Sequence, residues 1–203
     1  MYLNIYYSDA DIQSTSRLKP ICPTRWLTQL PTVVSVLNNY ASILKALEKA
    51  AAEFGTNTGT RANNLRFLFE SGKTLLGLLA VKPILQCMEA FNRGLQGSTV
   101  PVSGMLQVAS VTRCVLLSLR IEDSFSEIFD AAQNGINDYE LTAIVLPRNR
   151  KIPKRLDDGF AANTIHTTSR DFYGVQFFKA IDSAVMDLYT ISWPHWKHEC
   201  VNC

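Results

Sequence analysis

Apolar residues return along this chain at the three- and four-residue steps that put side chains on one face of a helix. Val33, Leu37, Tyr40, Leu44, Leu47, Ala51 and Phe54 form the first such series, and Gly55 and Asn57 stop it, so the spacing predicts one long helix over 30–54. Pro31 fits its first turn, where the missing N–H has no partner inside the helix. A shorter helix over 60–71 carries Leu65, Leu68 and Phe69. From Lys73 to Leu95 apolar positions run nearly all round, which marks a central helix, with Pro83 expected to kink it. Met105, Val108, Val111, Val115 and Leu119 predict a fourth helix over 105–119, and Phe125, Ile128 and Phe129 a fifth over 122–132. Thr168 and Ser169 offer a cap for a last helix over 170–190, with Phe177, Ile181, Val185 and Leu188 inward.

The expectation is an all-α fold: an antiparallel helical bundle over 19–145, a basic, proline-bounded linker over 146–168 and a further helix over 169–190. Leu44, Leu79, Phe91, Val115 and Ile181 are its expected buried residues. Residues 1–18 read as a poorly ordered leader: Tyr2 to Tyr7 alternate weakly, but Ser8 to Asp11 are solvent chemistry. Residues 191–203 read as a tail rich in cysteine and histidine.

Composition narrows the picture. With 203 residues, 47% of them hydrophobic, the chain can bury a sizeable core. A net charge of +2 excludes a wholly basic coat, so any nucleic-acid contact must use a local patch. An odd set of five cysteines, three of them scattered among apolar residues, points to a reducing compartment. The N-terminus lacks the basic and apolar regions of a signal peptide, and the apolar run Thr74–Val81 is too short to span a bilayer, so no membrane partner is expected.

Three stretches carry candidate chemistry. Arg148, Arg150, Lys151, Lys154 and Arg155 place five cations in eight positions, a spacing that can follow phosphates or simply solvate a linker. Asp157 and Asp158 before Gly159 read as turn chemistry rather than a metal site. In the tail, His195, His198, Cys200 and Cys203 are four zinc-type ligands, but so tightly spaced that little loop remains to wrap an ion, and an unstructured tail is the competing reading.

Cys22-Pro23-Thr24-Arg25-Trp26, followed by the Val33–Leu47 face, resembles the start of the helical insertion of the hAT superfamily of transposases. Leu146-Pro147-Arg148, Pro153-Lys154-Arg155, Asp157-Asp158-Gly159, Asp171-Phe172-Tyr173 and Phe177 to Asp182 extend the likeness over about 17–190, toward domesticated members related to the zinc-finger MYM-type group. The resemblance implies a nuclear protein and DNA as a partner, with Trp26 stacking on an extruded base and Arg25 meeting a phosphate. A bland alternative has Trp26 pinning the chain to the first helix and Arg25 meeting a carboxylate. Strand transfer in that superfamily needs two aspartates before the insertion and a glutamate after it, on one RNase H-like scaffold that holds the metal ions. None of these is expected here, nor a cofactor or small-molecule substrate. The expectation is therefore a non-catalytic, insertion-like domain, with a protein–protein interaction module or a functionless relic as the alternatives.

Overall fold

The computed structural model describes residues 29–52, 56–96, 101–148 and 168–192. Seven helices lie among them: α1 (Gln29–Asn38), α2 (Tyr40–Ala51), α3 (Asn57–Phe69), α4 (Gly72–Leu95), α5 (Val102–Ser118), α6 (Glu122–Asp138) and α7 (Ser169–Ser192). Beyond helices, the described residues hold one isolated parallel bridge, Ser71 to Thr142. The fold is all-α, as the periodicities predict.

Helix α4 is the hub, packing on α1, α3, α5, α6 and α7. Leu75, Leu76, Ile84 and Phe91 are its buried side chains, and it continues through Pro83 at the loss of one backbone hydrogen bond. By length and composition α4 would be apolar enough to cross a membrane, with a mean hydropathy of 1.4 over its best stretch. Within the fold part of that surface is used: Leu75, Leu76, Ile84 and Phe91 are buried, and Leu78, Leu79, Cys87 and Met88 are half-buried against the core. Helix α7 follows the basic segment in sequence yet belongs to the same core: Phe177, Ile181, Val185 and Leu188 join Leu75, Leu116 and Phe125 in one cluster. The Phe125 ring lies 5.7 Å from Phe177 and 5.9 Å from Phe129, knitting α6 to α7. Thr168 begins α7 as expected, its Oγ1 accepting the Asp171 N–H at 3.1 Å.

Several expectations need correction. The helix foreseen over 30–54 is two helices, interrupted at Asn39, and Phe54 lies outside the described residues. Asn38 and Asn39 explain the break, because asparagine side chains compete for nearby backbone groups; Asn39 Nδ2 donates to the Ser35 carbonyl at 2.7 Å. On α5 the buried residues are Ala109, Thr112 and Leu116, while Met105, Val111 and Val115 are exposed. The buried stripe is thus turned by about one residue, roughly 100°, from the one the valines marked. Thr112 can face inward because its hydroxyl donates to the Val108 carbonyl at 2.8 Å.

Of the remaining expected core residues, Phe91 and Ile181 are buried, whereas Leu44 and Leu79 are half-buried at the edge of the cluster. Helix α3 starts earlier than expected, capped by Thr56, whose Oγ1 accepts the Gly59 N–H at 2.9 Å. Its buried residues are Gly59 and Ala62, while Leu65 and Leu68 are exposed. Helix α6 runs past Ala132 to Asp138, with Ile136 buried and Gly135 packed so closely on α4 that a Cβ on it would sit 2.6 Å from Leu75 Cδ2.

Candidate nucleic-acid interface

The only described member of the candidate nucleic-acid set is Arg148, and the chain leading to it is fixed in place. Helix α6 ends with Glu140 in the left-handed region at φ 53°, and the Leu141 N–H returns to the Ile136 carbonyl at 2.9 Å. Leu141 and Ile136 are both buried, so the turn closes on an apolar contact layer. Thr142 then binds the α3–α4 junction on both sides: its N–H donates to Glu70 O at 2.8 Å, and its carbonyl accepts the Gly72 N–H at 3.0 Å. Its hydroxyl adds a bond to Glu70 O at 3.2 Å.

This approach requires glycine at position 72. A Cβ there would lie 2.6 Å from the Thr142 carbonyl oxygen and 2.5 Å from Ile136 Cδ1. Two residues further on, Ile144 is buried. The Tyr173 hydroxyl of α7 donates to the Val145 carbonyl at 3.4 Å. Burial holds that phenol's pKa above its ordinary value, so the hydroxyl keeps its proton. Leu146 and Arg148 are exposed beyond this point, so the guanidinium stands in solvent at the outlet of an anchored, non-helical segment.

Arg150, Lys151, Lys154 and Arg155, the continuation of the basic run, lie outside the described residues, as do Arg25 and Trp26, the aspartates 157 and 158, and the tail residues His195, His198, Cys200 and Cys203. Among the described residues no group of three or more histidine, cysteine or carboxylate side chains could hold a metal ion.

A second surface went unread in the sequence. Helices α5 and α7 pack together, with Arg120 Nε donating to Asp182 Oδ1 at 2.7 Å and the Arg113 guanidinium 4.9 Å from the Tyr189 ring centre. The Asp182 carboxylate raises the Arg120 pKa, by hydrogen bond first and by charge second. Leu117 of α5 and Met186 and Tyr189 of α7 are all exposed. Periodicity alone could not separate Leu117 from a core position, because α5 is apolar on more than one face, whereas Met186 and Tyr189 lie off the inward Phe177–Leu188 series of α7.

Fold and site together define an all-α domain that holds out the first cation of a basic segment. No family model matches the chain, and no curated protein or solved structure matches it either.

Proposed function

We propose that this chain is a transposase-derived, hAT-like helical domain, non-catalytic by itself, that presents a basic segment to the phosphate backbone of DNA in the nucleus. One observation supports this reading most: the chain entering the basic run is clamped by Thr142 to Glu70 and Gly72, and by Tyr173 to Val145. A segment whose first cation starts from a fixed point loses less freedom on binding than one on a loose tether.

Contacts of this kind read charge rather than base sequence. Binding to duplex DNA is therefore expected to be weak, largely independent of sequence and steeply reduced by salt, each neutralised phosphate contributing a log–log slope of about −0.9. Fluorescence anisotropy across a salt series tests this. Replacing Arg148, Arg150 and Lys151 together by alanine should flatten the slope by up to about three units. Binding whose slope survives the triple substitution sinks the proposal.

The exposed Leu117 of α5 and Met186 and Tyr189 of α7, on two helices that pack together, favour a second reading, a protein–protein interaction module, since exposed large apolar side chains that form a patch mark contact sites. Absence of DNA binding, together with capture of a defined partner that is lost on Met186→Glu, would establish that alternative.

A further inference from the structure

Helix α1 packs on α4, yet its buried side chains are polar. Thr32 and Ser35 are its two buried side chains, at 9% and 6% exposure, and Asn39, at 6%, follows just beyond its end. Val36 and Leu37 flank this seam, half-buried against the core. The Ser35 hydroxyl oxygen is shut away from solvent and has no hydrogen-bond partner. A hydroxyl so placed gives up its water contacts when α1 docks and recovers them on release, which weakens the docked form.

The end of α1 is built as a pivot. The Asn39 N–H and Nδ2 both donate to the Ser35 carbonyl, at 3.2 and 2.7 Å, while its own carbonyl accepts the Ile43 N–H at 2.9 Å. One residue, at φ −111° and ψ 19°, therefore finishes one helix and starts the next. Immediately after it the chain is bolted down. Tyr40 is 1% exposed, its hydroxyl donates to Phe69 O at 2.7 Å, and its ring lies 5.4 Å from Tyr139 and 5.5 Å from Phe69. A weakly seated helix thus ends at a hinge backed by a firm anchor.

We propose that α1 opens from α4 as a unit, turning at Asn39 while α2 to α7 stay packed. Opening uncovers Val36, Leu37 and the apolar α4 surface beneath them, giving the fold a closed and an open form. Regional openings of this kind are what hydrogen exchange resolves. In the full chain, amides within 29–38 should exchange through an opening that leaves those of α4 and α6 protected. Ser35→Ala removes the stranded hydroxyl and should slow exchange in 29–38 about five- to tenfold, whereas Leu116→Ala, buried in α5 in both forms, should speed exchange in α4 and α6 and leave 29–38 unchanged. Exchange of 29–38 in step with α4, no effect of Ser35→Ala on 29–38, or a Leu116→Ala effect that reaches 29–38 as strongly as α4, overturns the proposal.

Discussion

Two single residues carry consequences that can be measured directly. Burial, and secondarily the neighbouring Tyr139, pushes the Tyr40 phenol from 10.0 up to about 12. The folded state therefore holds this proton more tightly than the unfolded chain, so its contribution to stability is intact below about pH 10 and is lost as pH rises from there toward 12. Each tenfold change in proton affinity is worth about 1.4 kcal/mol, so the loss is of the order of 2 kcal/mol. Urea unfolding followed across that range should show a falling alkaline limb, which Tyr40→Phe makes shallower while lowering stability at neutral pH through loss of the bond to Phe69 O. Glu140 is the other case. It occupies a left-handed conformation at φ 53° that suits glycine, so Glu140→Gly should raise stability by about 1 kcal/mol in the same measurement.

At the scale of the element, α5 shows how a strong pattern can point to the wrong face. Its valines at 108, 111 and 115 are helically spaced, but the core takes Ala109, Thr112 and Leu116, residues that read as weaker or polar. Leu116 is fully buried and Val115 is 45% exposed, so the two neighbours should answer differently to truncation. Leu116→Ala is expected to cost about 2–5 kcal/mol and Val115→Ala no more than about 0.5 kcal/mol, read from denaturant midpoints. The reverse order would restore the face that periodicity suggested. The interruption at Asn39 has the same lesson in another form: Val33 to Leu47 kept their spacing through a break set by local asparagine hydrogen bonds.

For the molecule as a whole, the decisive contact joins residues that lie 72 apart in the chain, Glu70 and Thr142. Gly72→Ala would drive a Cβ against the Thr142 carbonyl oxygen, a backbone atom that cannot turn aside, and should destabilise the fold by about 1–3 kcal/mol. Its effect reaches the proposed DNA contact as well, since the clamp sets where the chain leaves for Arg148. The expected result is weaker DNA binding with an unchanged salt slope, because the cations remain and only their preorganisation is lost.

By itself the sequence determined the all-α class, the central place of the Lys73–Leu95 helix, the Thr168 cap and the inward Phe177, Ile181, Val185 and Leu188, since each depends on local propensity or on which side chains avoid water. It also showed where cations cluster, because charge is read directly from residue type. Tertiary structure decided which face of α5 goes inward, that α7 joins the common core, and that Gly72 and Thr142 meet. Those outcomes depend on the shape that neighbouring helices leave to be filled, and on backbone groups finding partners across long stretches of chain. No periodicity within a single segment records either.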